Sequence, residues 1–206
     1  RIELNEHIAP DGCIDLAQAV SDVIDALSPL SAETGVQIQT AMPPRGEALV
    51  IGDRDQIVQV VQNLIDNGVK YSRSRDGSVS GSVIVECGVG VSGDAALALR
   101  KPSASRLSLL TPDQTGEEIY VYLRINDSGP GIRREYLPRL AERFYRVEGQ
   151  KSGERSGTGL GLAIVKHIVE RHRGRLDISS VLGKGTNVSI LLPGAPTDDT
   201  ATKTRA

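Results

Sequence analysis

The chain has 206 residues and a formal charge of −2, from 24 Lys and Arg against 26 Asp and Glu. Hydrophobic residues make up 39%, enough for one well-buried domain with tails; aromatic residues are only 3%, so the core must be built from Val, Ile, Leu and Ala. The near-neutral charge argues against a nucleic-acid partner, no run approaches the roughly 18 apolar residues of a membrane span, and no signal peptide is recognisable. Cys13 and Cys87 lie far apart and belong to no CxxC pair, so both read as reduced thiols in or near strands. The sequence opens on Arg1 without a Met, which reads as a piece of a longer protein.

Residues 1–12 are polar, close on the turn Pro10-Asp11-Gly12, and read as the end of a linker; a short strand follows over 13–16. Residues 17–34 carry a helical pattern through Ala19, Val20, Val23, Ile24, Leu27 and Leu30, with Gly35 as the stop and Pro29 predicting a kink or a late break. Residues 36–40 alternate apolar and polar like a half-buried strand, and 48–51 form a short apolar strand ending at Gly52.

The strongest helix is predicted over 53–71, capped by Asp53 or Asp55, with Ile57, Val61, Leu64 and Gly68 on one stripe. Asn63, Asn67, Lys70 and Tyr71 fall at i, i+4, i+7 and i+8, which lines them along one edge of this apolar helix. Asn is a poor helix former, and a solvated face more often uses Glu and Lys. Amide oxygens suit Mg²⁺ and an ammonium suits phosphate, so the edge reads either as a metal–phosphate wall or as a solvated face.

Residues 82–91 read as a strand with Val83, Val85 and Cys87 on one face and Ile84 on the other. The literal GxGxxG at Gly88-Val89-Gly90-Val91-Ser92-Gly93 is rejected as a dinucleotide fingerprint, because Pro102 would cut its helix short and no second βα unit follows. Residues 92–117 are weakly patterned and rich in Ser, Pro and Gly, which predicts an insertion or hairpin. Residues 119–126 form a strand with Ile119, Val121, Leu123 and Ile125 inward. It delivers Asp127 to Ser128-Gly129-Pro130-Gly131-Ile132, where a carboxylate beside two glycines can meet the amino group of a flat ligand.

The polar, glycine-rich stretch 149–157 reads as a lid. It leads into Gly157-Thr158-Gly159-Leu160-Gly161-Leu162, a glycine run ahead of a helix over 163–172 whose stripe is predicted to be Leu160, Ile164 and Ile168, with Val165 and Val169 beside it. Such a run lets backbone N–H groups and a helix N-terminus hold phosphate. Residues 175–180 and 186–192 pair around a glycine turn, and the tail from 194 to 206 is expected to be disordered.

These stretches, in this order, resemble the catalytic ATP-binding domain of bacterial sensor histidine kinases, within the superfamily that includes gyrase, Hsp90 and MutL. Asn63-Leu64-Ile65-Asp66-Asn67-Gly68-Val69-Lys70-Tyr71 is similar to the N box, and Asp127-Ser128-Gly129-Pro130-Gly131-Ile132 to the first glycine box. Glu142-Arg143-Phe144-Tyr145-Arg146-Val147 resembles the F box, Gly157 to Leu162 the second glycine box, and Gly183-Lys184-Gly185-Thr186 the closing strand turn. The likeness spans roughly 13–193, and the closeness of the F box to the second glycine box resembles the PhoR-like class.

The resemblance implies an α/β two-layer sandwich, a mixed, mostly antiparallel sheet packed on three helices (the Bergerat or GHKL fold). It implies ATP and Mg²⁺ as cofactors and an ATP lid over 133–158. Asn67 would be the Mg²⁺ ligand with Asn63 supporting it, Lys70 would meet phosphate, and Tyr71 would lie against the nucleotide. Asp127 would accept from the adenine amino group with Thr186 nearby, and Gly129, Gly131 and Ile132 would shape the adenine pocket. The backbone of Gly157, Thr158, Gly159, Leu160, Gly161 and Leu162 would hold the phosphates, with Arg146 reaching the γ-phosphate. Two departures stand out: Leu140-Ala141 replaces the family's bulky pair before the F box, and 92–117 is longer than the usual connection.

His7, His167 and His172 are the only histidines, and none sits in an H-E-x-x-x-P-like context. The resemblance therefore implies a phosphoacceptor on an N-terminal dimerisation domain outside this chain, a homodimeric, membrane-anchored parent, a cytoplasmic location, a monomeric fragment and a response regulator as partner. The alternative is a nucleotide-sensing module without phosphoryl transfer. A gyrase- or Hsp90-like machine would need an acidic residue where Gln59 stands, and a serine kinase of the anti-sigma type matches the F box poorly.

Overall fold

The chain alternates short strands with three amphipathic helices, and the main sheet turns most of its apolar positions to one side. The structure, a computed structural model, describes residues 10–72, 81–90, 105–109, 119–147 and 158–195. In order these form β1 (Gly12–Asp15), α1 (Leu16–Thr34), β2 (Gln37–Ala41), β3 (Leu49–Gly52), α2 (Arg54–Ser72), β4 (Ser82–Gly90), β5 (Ser105–Leu109), β6 (Tyr120–Asp127), a 3-10 helix (Arg134–Arg139), α3 (Gly161–Arg171), β7 (Arg175–Val181) and β8 (Gly185–Pro193).

The main sheet is six-stranded in the order β2-β4-β6-β8-β7-β5. Only β2 and β4 run parallel; every other neighbouring pair is antiparallel. The register sets Val85, Ile125, Val188, Ile178 and Leu107 side by side across the sheet. This is the face that α1, α2 and α3 cover, and these residues belong to one apolar cluster with Ile57, Val61, Leu64, Ile65 and Val69 of α2. Alternation along strands and a 3.6-residue stripe along helices thus meet in a single core, the two-layer mixed sandwich expected from the sequence.

α2 is the middle helix, between α1 and α3 and against β4 and β6. Asp53 caps it, its Oδ1 accepting from the N–H groups of Asp55 and Gln56 at 3.0 and 3.1 Å. Gly68 lets it come close to the sheet: a Cβ there would stand 3.1 Å from Ile125 Cγ2 and 3.2 Å from Val83 Cγ1. α3 ends at His172, whose buried ring accepts at Nε2 from the Asp53 N–H at 3.0 Å and donates from Nδ1 to the Ile168 carbonyl at 2.8 Å. The Asp53 donor requires a lone pair on Nε2, which places the ring proton on Nδ1.

The other face of the sheet is also partly buried. Tyr120, Leu191, Arg124, Arg175 and Asp177 all point there and are almost fully covered. The charges meet partners, as burial requires: Asp177 lies 2.6 Å from Arg106 and 2.7 Å from Arg175, and Arg124 lies 3.4 Å from Glu86.

Several local expectations are revised. The apolar stripe of α3 is centred on Val165, Ile168 and Val169, while Leu160 and Ile164 are only partly buried. Leu160 is the N-cap residue, so its side chain precedes the helical surface. Pro29 stands inside α1, which runs on to Thr34 and ends where Gly35 takes a left-handed φ of 68°. The alternation over 36–40 holds: Val36 is buried in the core and Ile38 packs against it while Gln37 and Gln39 are exposed, and the strand it marks, β2, lies at the sheet edge. Within the segment 92–117, residues 105–109 form β5, which pairs with β7 and turns Leu107 and Leu109 toward the core. At the other end, the Gly194 and Ala195 N–H groups donate to Ile119 O and Leu49 O at 2.7 and 2.8 Å. Of the expected linker over 1–12, the lid over 133–158 and the disordered tail over 194–206, residues 1–9, 148–157 and 196–206 lie outside the described residues, as does the remainder of 92–117.

Candidate functional site

α2, the C-terminal end of β6 and the start of α3 converge on a cavity of about 350 Å³. One wall is the polar edge of α2, and Asn63, Asn67, Lys70 and Tyr71 all line it, as their helical spacing predicts. Asn63 Nδ2 donates to the Gln59 carbonyl at 2.9 Å. Its Oδ1 therefore faces α3, 3.1 Å from where a Cβ on Gly161 would stand. Lys70 is paired with Asp66 one turn back at 2.5 Å, and both are about a quarter exposed. Such a pair stabilises the helix weakly and holds the ammonium at the cavity rim.

The opposite end is built by β6 and β8. Asp127 lines the cavity, and its Oδ1 accepts from the N–H groups of Gly129 at 2.8 Å and Thr186 at 3.1 Å. Thr186 lines it too, with its Oγ1 3.0 Å from Ser180 Oγ. Gly131 and Ile132 complete this end with Pro130, above an apolar floor of Ile125, Ile178, Val188 and Leu64. Gly129 is not on the wall: a side chain there would strike the Tyr71 carbonyl, so this glycine serves the join between α2 and the loop.

The third wall is the glycine run. Thr158, Gly159, Gly161 and Leu162 line the cavity, Leu160 does not, and Gly157 lies outside the described residues. The N-cap residue of α3 supplies no side-chain hydrogen bond and the first turn holds no acidic residue, so its N–H groups keep their positive end toward the cavity. Gly159 has a φ of 72°, and its carbonyl accepts from the Phe144 N–H at 2.9 Å. A Cβ on it would stand 2.8 Å from the Phe144 carbonyl carbon, so only glycine lets these two segments touch. Phe144 itself has a φ of 64° and is 71% exposed.

The next residues turn inward, and Tyr145, Arg146 and Val147 line the cavity with Leu140. The Arg139 guanidinium lies 4.2 Å from the Tyr145 ring centroid, fixing the tyrosine beside it.

Of the residues singled out from the sequence, all described ones reach this cavity except Gly129 and Leu160. Sequence reasoning missed Asp66, Pro130, Tyr145, Val147 and the apolar floor. Tyr145 and Val147 stand inside the F-box stretch, a signal that was present; the floor residues look like ordinary core positions until the sheet brings them together. His172 is buried and committed to Asp53 and Ile168, which removes it as a phosphoacceptor. Among the described residues no group of His, Cys, Asp and Glu could hold a metal alone. The Asn63 and Asn67 amides suit a hard ion that takes its other ligands from phosphate and water.

The family model described as "Histidine kinase-, DNA gyrase B-, and HSP90-like ATPase" matches residues 52–196. The phosphate regulon sensor protein PhoR of Pseudomonas aeruginosa is 54% identical over 70 residues, 34% of this chain and 16% of its own. The sensor histidine kinase WalK of Bacillus subtilis is 31% identical over 180 residues, 87% of this chain and 24% of its own. The chain thus spans less than a quarter of the length of either relative. The solved structure of the mycobacterial sensor histidine kinase MprB superposes with a TM-score of 0.63 at 25% identity, covering 91% of this chain and 99% of that one. With the cavity walls assembled from the N-box helix, the Asp127 loop and the glycine run, the chain belongs to the family of histidine kinase-, DNA gyrase B- and HSP90-like ATPases.

Proposed function

We propose that this chain is the ATP-binding catalytic domain of a sensor histidine kinase, which donates the γ-phosphoryl group of Mg-ATP to a histidine on a separate dimerisation domain. The observation that carries this reading is the meeting, in one cavity, of the polar edge of α2, the uncapped start of α3 and the Asp127–Thr186 corner. Its similarity to sensor histidine kinases supports the transfer half of the reading.

In this reading Asp127 and Thr186 receive the adenine end, with Gly131 and Ile132 beside it. Tyr71 lies against the nucleotide, and Lys70 and the backbone from Gly157 to Leu162 hold phosphate. Asn67, supported by Asn63, holds Mg²⁺. The ion, when bound, neutralises charge on the phosphates. Arg146 adds a positive charge at the transferring group. The reaction breaks the bond between the γ-phosphorus and the β–γ bridging oxygen and forms a bond from phosphorus to an imidazole nitrogen, with ADP leaving. Such transfer relies on positioning and charge, so the binding residues are also the catalytic ones.

The parent would be a homodimer, anchored in a membrane with this domain in the cytoplasm, passing its phosphoryl group to a response regulator. Gln59, in place of an acidic residue, makes ATP hydrolysis by this chain negligible. The test mixes this domain, Mg-ATP and a separately produced phosphoacceptor domain of the same kinase. Phosphohistidine is expected, and Asn67→Ala is expected to lower the transfer rate by about a hundredfold or more. ATP affinity without phosphohistidine would sink the kinase assignment while keeping the pocket.

A further inference from the structure

Asp66 lines the cavity on the polar edge of α2, one position before Asn67 and one turn before Lys70, and it has no part in the contacts proposed above. A carboxylate on a wall that receives phosphate carries the wrong sign, and it repels the ligand unless a cation stands between them. Here one does. Lys70 Nζ lies 2.5 Å from Asp66 Oδ2, and both side chains are only about a quarter exposed. A lysine carries three N–H donors on a flexible four-carbon stem, which by itself points the charge nowhere in particular. The ion pair uses one donor, fixes the ammonium at the cavity rim and leaves two donors for an incoming anion. An i, i+4 contact that water still reaches adds little to the helix. What it does set is where the positive charge stands before the ligand arrives, and a group placed in advance loses less freedom on binding.

We propose that Asp66 is a positioning residue that holds the Lys70 ammonium ready for phosphate, so that a carboxylate on the cavity wall strengthens the binding of an anion. The inference rests on the nucleotide-binding reading of the cavity and deepens it: the phosphate contact belongs to the Asp66–Lys70 pair rather than to Lys70 alone. The effect of Asp66 must then change sign with the lysine. With Lys70 present the carboxylate helps, by orienting the cation. Without Lys70 it only repels.

The experiment measures the dissociation constant of Mg-ATP, by competition against a fluorescent nucleotide, for the wild type, Asp66→Asn, Lys70→Met and the double variant. Asn keeps the shape of Asp and removes its charge, and Met keeps most of the lysine stem and removes the ammonium. Asp66→Asn should weaken binding about fivefold or more. In the Lys70→Met background the same change should instead tighten binding, by about twofold or more. Asp66→Glu, which still reaches a lysine at i+4, should bind Mg-ATP more tightly than Asp66→Asn. If Asp66→Asn does not fold, Asp66→Ala gives the same comparison with a better helix former.

A merely structural part for Asp66 would weaken binding by the same factor in both backgrounds, and that result overturns the proposal. So does unchanged or tighter binding in Asp66→Asn alone, which makes the carboxylate a bystander or a competitor of the phosphate. Lys70→Met that binds Mg-ATP like the wild type also overturns it, at the lysine. Failure of the wild type to bind Mg-ATP sinks instead the cavity reading on which the proposal stands.

Discussion

At the scale of single residues, burial decides what each group can do. Cys87 sits inside the core face of β4, and burial, aided by the nearby Asp15 charge, pushes its thiol up to about 12. Cys13 is exposed on β1. A thiolate-selective reagent at pH 8 should therefore label the native protein once, at Cys13, and reach Cys87 only after denaturation. Peptide mapping of the labelled protein checks this, and native modification of Cys87 would contradict the packing of β4.

The residues of the cavity and its surroundings divide in the same way. Asn63, Asn67, Lys70 and Tyr71 were legible because a helix places i, i+4, i+7 and i+8 together whatever surrounds it. Ser180 was not legible. Its hydroxyl stands behind the cavity wall against the Ile132 N–H, the Gly185 carbonyl and Thr186 Oγ1, and only the register of β7 with β8 and the fold of the Asp127 loop bring those groups to it.

At the scale of elements, α2 and α3 are joined at their outer ends by one side chain. Burial lowers the pKa of His172, while its bond to the Ile168 carbonyl and the Asp53 charge oppose the shift and Arg171 adds to it. Below the ordinary imidazole value of 6.5 the unfolded chain takes up this proton more readily than the native one. The native state thus holds its full contribution above about pH 6.5 and loses it as pH falls through the lower, folded value. Protonated Nε2 would also face the Asp53 N–H with a donor. Chemical denaturation from pH 7.5 to 5 should show wild-type stability falling below pH 6.5, with a shallower fall in His172→Gln. Equal slopes would remove the histidine as the cause.

Gly52 belongs to the same join, since a Cβ there would stand 2.8 Å from the His172 ring. The sequence marked Gly52 only as a strand end. Its real constraint is a ring 120 positions away in the chain, beyond the reach of any local pattern.

At the scale of the whole molecule, the cavity exists only when α2, β6, β8 and α3 are packed together, so a ligand that fills it binds the native state alone. Mg-ATP at about a hundred times its dissociation constant should raise the unfolding free energy by about 2.7 kcal/mol. Thermal unfolding with and without nucleotide measures this, and an unmoved transition at saturation would refute the site. The sequence by itself determined the helices, most strands, the place of the glycine run ahead of α3 and the family, because hydrophobic period and box order are local properties written along the chain. Only the tertiary structure decided that residues 105–109 complete the sheet edge, that Gly129 serves packing rather than the pocket wall, and that the Ser180 hydroxyl stands behind Thr186. Each of these is settled by partners distant in sequence, and a hydrogen bond or a steric contact has no signature until both partners are in place.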